Sequence, residues 1–219
     1  MNDGRTLPHN VTFSKLCNIA TNKGDIEMTE GPTPTLQERL IDALERCFER
    51  KGMQKTTLGD VAEEAGVSRM TVYRKFKDRR ALFAAAALRN MQRQWQRIYA
   101  ELETIDQLDE WLIECVLLFR RLYSQDATVA LYSRIGGHEP GLEVALSDEG
   151  LETVCSYFSC LFEKAASENI LAPGLLIEDI AEWIHRTNYS LVVHPSPRLQ
   201  DETDLRRWLS VQVRGVVTA

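Results

Sequence analysis

Thr56-Thr57-Leu58-Gly59-Asp60-Val61-Ala62-Glu63-Glu64-Ala65-Gly66-Val67-Ser68-Arg69-Met70-Thr71-Val72-Tyr73-Arg74-Lys75-Phe76 reads as two short helices and the turn between them. Thr57 stands as an N-cap with Asp60 three residues on, in a capping-box-like position. Val61, Ala62 and Ala65 face inward, and Gly66 ends the helix because glycine accepts a left-handed backbone. Ser68 caps a second helix running to about Phe76. Small Ala62 lets the two helices approach, and Val61, Val67 and Val72 supply a compact core between them. A helix-turn-helix needs this construction, because its second helix must project without unpacking.

With Val72 and Phe76 turned inward, Arg69, Met70, Thr71, Tyr73, Arg74 and Lys75 are left on exposed or flanking faces. Guanidinium and ammonium groups can donate to guanine O6 and N7, and a threonine methyl can touch a thymine methyl. A tyrosine hydroxyl suits a phosphate oxygen, a contact that positions without specifying sequence. Lys77, Arg79 and Arg80 follow at the start of a helix capped by Asp78. The macrodipole disfavours cations there by roughly 0.3–1 kcal/mol each, so their placement makes sense if an anion such as a DNA backbone is brought to that end.

Charge along the chain agrees. The net charge of −6 argues at first against a nucleic-acid partner, yet its distribution is uneven. Residues 33–97 hold fourteen basic and eight acidic residues, whereas residues 98–219 hold nine basic and twenty acidic. One basic segment in an otherwise acidic chain is what a single polyanion-binding part would produce.

Upstream, Leu36, Leu40, Ile41, Leu44, Cys47 and Phe48 form one apolar stripe closed by Gly52. Residues 1–33 lack periodicity and end in a breaker cluster, so a poorly ordered tail is expected, with Met28 a candidate translation start beside Met1. Downstream, the fourth helix runs to about Tyr99. Helical periodicity returns in Leu108–Tyr123, Leu151–Phe162 and Ile177–Leu191. Gly136-Gly137, Pro140-Gly141, Pro173-Gly174 and Pro195-Ser196-Pro197 mark loops. No strand pattern or internal repeat interrupts this, and the expected fold class is all-α.

Other classes fit less well. No apolar stretch approaches the roughly 18 residues of a membrane span. Asp3, Asn10 and Lys15 break any signal-peptide pattern, so a cytoplasmic protein without a membrane partner is expected. The five cysteines lack zinc-ligand spacing, and Cys47, Cys115 and Cys155 fall on apolar helix faces as core residues. No phosphate loop, nucleophile elbow or metal cluster suggests an enzyme or a cofactor. A plain interaction bundle would explain the later helices but not the basic third one.

Thr57, Ala62, Ala65-Gly66-Val67-Ser68, Thr71-Val72-Tyr73, Phe76 and Ala81-Leu82-Phe83 together resemble the N-terminal domain of the TetR (tetracycline repressor) family. The resemblance covers about residues 38–84. It implies a three-helix DNA-binding domain over 34–83 and a helical ligand-binding and dimerisation bundle over 84–219. It also implies a homodimeric repressor that binds double-stranded DNA at an inverted-repeat operator and releases it when a small molecule enters the bundle. Thr57 and Tyr73 match phosphate-contacting positions, and Arg79 stands where a lysine is usual. Arg69, Thr71, Arg74 and Lys75 match positions that approach bases, while Met70 replaces the small residue often found there. In the family the last two helices, here about 175–193 and 201–217, pair across the dimer. Leu205, Trp208, Leu209 and Val216 could supply that apolar surface, although intramolecular packing explains them equally well. Aromatic candidates for the ligand pocket are Trp95, Trp111, Phe119, Tyr132, Phe158 and Trp183, with ordinary core packing as the competing role; His138 and His185 could orient a polar ligand group.

Overall fold

The computed structural model describes residues 34–125 and 140–216. The expected tail, Met28, Tyr132, His138 and the Gly136-Gly137 loop lie outside them. The helices are α1 (Leu36–Lys51), α2 (Leu58–Glu64), α3 (Arg69–Lys75), α4 (Arg79–Leu102), α5 (Leu108–Gln125), α6 (Pro140–Ala145), α7 (Asp148–Ser167), α8 (Ile177–Val193) and α9 (Glu202–Val213). The all-α expectation holds.

Local chemistry sets the helix ends. Thr35 and Glu38 form a capping box on α1, the Glu38 carboxylate accepting from the Thr35 amide at 2.6 Å. Gly52, at φ +76°, closes α1, as the breaker reading predicts. Side chains of Asp78, Ser147 and Asp201 accept from first-turn amides of α4, α7 and α9. One expectation is corrected: Pro140-Gly141, read as a loop marker, begins helix α6. Proline is well suited to a first helical turn, where its missing N–H has no intrahelical acceptor. The turn from α6 into α7 is tight, since a Cβ on Gly150 would run into the Val144 carbonyl oxygen.

Two cores form. The first holds Leu40, Leu44, Cys47 and Phe48 of α1, Val61 and Ala62 of α2, Val72 of α3, Phe76, and Leu82, Phe83 and Ala86 of α4. The second gathers the far half of α4 with α5, α7, α8 and α9, around Trp95, Trp111, Leu112, Phe158, Ile184, Leu205 and Leu209. Helix α4 runs without a break from one core to the other. Ion pairs lace the second layer on its outside, Arg206 joining α9 to Glu110 and Glu114 of α5, and Arg121 meeting Glu202 at 2.8 Å.

Burial revises the expected dimer patch. Leu205 and Leu209 are fully buried within the chain, and Trp208 packs on the same core. Intramolecular packing therefore accounts for them. The large apolar side chains exposed on this layer are Leu176 and Val211.

Burial also holds His185 of α8 down to a pKa of about 4. The unfolded chain, with an ordinary imidazole near 6.5, binds a proton that the folded chain refuses. This group's contribution is thus complete above about pH 6.5 and declines as the pH falls toward 4. Denaturant melts across that window are expected to show a steeper loss for the native chain than for His185→Leu. Equal pH dependence of the two would mean the imidazole is not desolvated.

Candidate nucleic-acid interface

The helix-turn-helix is assembled by short polar contacts on a small apolar base. Thr57 and Asp60 exchange bonds at the start of α2, the Asp60 carboxylate accepting from the Thr57 amide at 2.9 Å. Lys51 of α1 reaches the other Asp60 oxygen at 2.5 Å. These partners, the lysine foremost, pull the Asp60 carboxyl down to about 2. Gly66 takes φ +66°, and the amide of Val67 donates to the Ala62 carbonyl at 2.9 Å, closing the turn. The Arg39 guanidinium donates to the Ala65 carbonyl and ties α1 to this turn. The Ser68 hydroxyl accepts from the Thr71 amide at 3.1 Å, capping α3 as its sequence position predicts.

Helix α3 buries Val72 and is exposed over most of its remaining surface. Met70 is 75% exposed and Tyr73 52% exposed, high values for large apolar or aromatic side chains. Arg69, Arg74 and Lys75 are exposed too, as is Lys77 in the following turn. Thr71 is half-buried, and its hydroxyl lies 2.9 Å from that of Ser68.

Charges on this domain are sorted. Two of the three acids of α2 are neutralised from behind, Asp60 by Lys51, and Glu64 by Arg46 at 2.6 Å and by Arg50, while Glu63 is exposed. Asp42 and Glu45 are taken by Arg89 of α4 at 2.6 and 2.7 Å. Arg69, Arg74, Lys75 and Lys77 have no ion-pair partner among the described residues. Four uncompensated cations thus lie on the helix that projects and on the turn after it.

Arg79 is placed differently. Its guanidinium donates to the Met53 carbonyl at 2.6 Å and sits over the Phe83 ring, 4.4 Å from the centroid. A cation at the start of α4 is therefore partly satisfied inside the domain, which the macrodipole reading did not anticipate. Neighbouring Arg80 pairs with Glu143 at 2.5 Å, linking α4 to the segment around α6.

Arg69, Tyr73, Asp78 and Arg79 share a concavity of about 480 Å³ with Gln54, Thr56, Thr57, Leu58 and Gly59. Gln54 and Gly59 carry no sequence signal of their own and were not among the candidate residues. A Cβ built on Gly59 would come within 3.2 Å of the Arg69 Nε and Nη2. The guanidinium lies across α2 at the one position in that helix without a side chain.

Among the pocket aromatics, Trp95, Trp111 and Phe158 are buried and packed on one another, while Phe119 and Trp183 are half-buried. Trp95 stacks between Trp111, at 6.4 Å, and Tyr157, at 6.1 Å. No group of three or more potential metal ligands occurs among the described residues. No helix of the described residues is long and apolar enough to cross a membrane.

Comparison with known proteins follows the same division. Residues 40–86 match the family model described as bacterial regulatory proteins, tetR family. An uncharacterized HTH-type transcriptional regulator of Mycobacterium tuberculosis is 26% identical over 188 residues, covering 85% of this chain and 87% of the relative. The crystal structure of the TetR family repressor AlkX from Dietzia sp., implicated in biodegradation of n-alkanes, shares the fold with a TM-score of 0.59. It is 22% identical and covers 84% of this chain and 95% of its own. FadR from Bacillus subtilis, solved in complex with stearoyl-CoA, gives a TM-score of 0.53 at 17% identity, covering 81% of this chain and 98% of its own.

Two substitutions separate framework from surface. Arg79→Ala is expected to lower the unfolding temperature, because it removes internal partners, while Arg74→Ala leaves it in place; thermal melts of both check this. Gly59→Ala should melt no lower than the native chain, since alanine is favoured over glycine in a helix by roughly 0.5–1 kcal/mol. It should nonetheless weaken duplex binding by moving Arg69, as fluorescence anisotropy would record.

Proposed function

We propose that this chain, whose residues 40–86 match the tetR family model, is a TetR-family helix-turn-helix regulator that acts as a ligand-released repressor, bound as a homodimer to an inverted-repeat operator. The observation that carries the DNA-binding part is the set of unpaired cations on α3 and its following turn, Arg69, Arg74, Lys75 and Lys77, beside exposed Met70 and Tyr73. A reading helix is free to donate to base edges and phosphates only if its cations are not already consumed within the protein.

The site assignment follows from position. Arg69, Met70, Thr71, Arg74 and Lys75 face the bases. Thr57, Ser68, Tyr73, Lys77 and Arg79 serve the backbone, Arg79 doing so from a guanidinium that keeps one internal bond. The DNA-binding domain comprises residues 34–83 and the ligand-binding and dimerisation domain residues 84–219, the division falling within α4. Two-fold pairing through α8 and α9 would set two copies of α3 about 34–36 Å apart, one helical turn of DNA. Exposed Leu176 and Val211, on the edges of those helices, suit that contact better than the buried leucines of α9. The match of residues 40–86 to the tetR family model supports repression and release by a small molecule. Relatives named as a TetR family repressor and as a complex with stearoyl-CoA are consistent with both.

Selection of bound duplexes from a random library at near-physiological salt tests the proposal. Enrichment of one inverted repeat is expected, with half-sites about a helical turn apart. Weak binding that vanishes as salt rises, with no enriched sequence, would remove specific recognition. On the selected operator, Arg74→Ala should relax preference at one position, at a cost of about 1–3 kcal/mol for a bidentate base contact. Arg79→Ala should instead weaken all sequences alike and shallow the salt slope by about one phosphate.

A further inference from the structure

The C-terminal core contains polar groups that its own packing leaves unused. On α8, the His185 Nε2 and both amide atoms of Asn188 are buried without a hydrogen-bond partner. His185 is 9% exposed and Asn188 only 4%. Three residues apart on one helix, they occupy adjacent turns of the same face. The His185 ring meets Trp95 edge-on at 6.1 Å, at the side of the Trp111–Trp95–Tyr157 stack. An unsatisfied buried polar group destabilises the fold, and an apolar side chain of similar shape would avoid that cost.

We propose that the His185–Asn188 turn and the adjoining Trp95 face recognise the effector, and that this effector is an uncharged molecule with an apolar, flat body carrying a hydrogen-bond donor and acceptor side by side. The proposal rests on the ligand-released reading above and specifies its ligand chemistry. An amide side chain left with both its donor and its acceptor free calls for the complementary pair, and the aromatic stack calls for a flat neighbour. No lysine, arginine, aspartate or glutamate is fully buried among the described residues, and the partly buried Arg89 is already paired with Asp42 and Glu45, so an ion of either sign would find no counter-charge in the core. Burial also keeps the His185 imidazole neutral at physiological pH, so it offers a hydrogen bond without a counter-charge.

Benzamide, benzoate and benzylammonium form a matched set of probes, one neutral and two charged. Each is titrated into the full chain by tryptophan fluorescence and thermal shift near neutral pH. Benzamide is expected to bind at least about tenfold more tightly than either ion, a difference of about 1.4 kcal/mol. His185→Leu and Asn188→Leu should each weaken benzamide about tenfold or more while melting no lower than the native chain, as expected when a polar group serves a ligand rather than the fold. Leucine variants that melt well below the native chain or fail to fold would overturn the proposal, because the polar atoms would then be structural. So would benzoate binding as tightly as benzamide, or benzamide affinity unchanged in both variants. Operator release is read separately on duplex DNA. Benzamide binding lost in the leucine variants, with the operator still held at saturation, supports this site and counts against the release reading. Release by an effector whose affinity neither variant changes overturns this site and leaves the release reading standing.

Discussion

The functional surface depends on how little of α3 is anchored. Val72 is fully buried and Phe76, just past the helix, nearly so. Those two apolar contacts, with the Ser68 cap at the other end, hold a seven-residue helix that would be far too short to persist in water alone. The close approach of α2 is possible because Ala62 is small and Gly66 turns the chain with a left-handed backbone. A bulkier or better-buried α3 would be more stable and would have no face left with which to read a groove.

Charge sorting completes what packing begins. Four acidic side chains of α1 and α2, Asp42, Glu45, Asp60 and Glu64, are held by cations of α1 and α4. Exposed ion pairs of this kind contribute little stability each. Their consequence is electrostatic: these acids are taken up away from α3, while Arg69, Arg74, Lys75 and Lys77 keep unpaired charge on it and on the turn after it. The net negative charge of the chain therefore resides mostly elsewhere, over α5 to α9. Arg79 departs from this pattern by serving as an internal clamp between Met53 and Phe83 as well as an exposed cation.

Helix α4 is shared by both cores. Leu82, Phe83 and Ala86 belong to the first, and Trp95, Ile98 and Leu102 to the second. Trp95 touches His185, and Arg80 at the opposite end of the helix meets Glu143. A helix of 24 residues, about 36 Å long, thus joins the surroundings of Trp95 to the base of the N-terminal core.

The order of the helices, most of their ends and the helix-turn-helix itself were legible in the sequence. Apolar periodicity and capping are written within spans of three to seven residues, as Thr57 with Asp60 and Ser68 with Thr71 illustrate. The helical start at Pro140 was missed because proline and glycine signal breaks and first turns alike. Likewise, Leu205 and Leu209 carry the same apolar stripe whether they face another subunit or their own core; only packing shows that they face inward. Sequence by itself determined an all-α chain with a helix-turn-helix whose second helix is basic. Tertiary structure alone decided which cations remain unpaired, why Gly59 has no side chain beneath Arg69, and which polar atoms of α8 are buried without partners. Those properties depend on proximity between residues distant in the chain, such as Arg89 with Asp42 or His185 with Trp95, and no local pattern encodes that proximity.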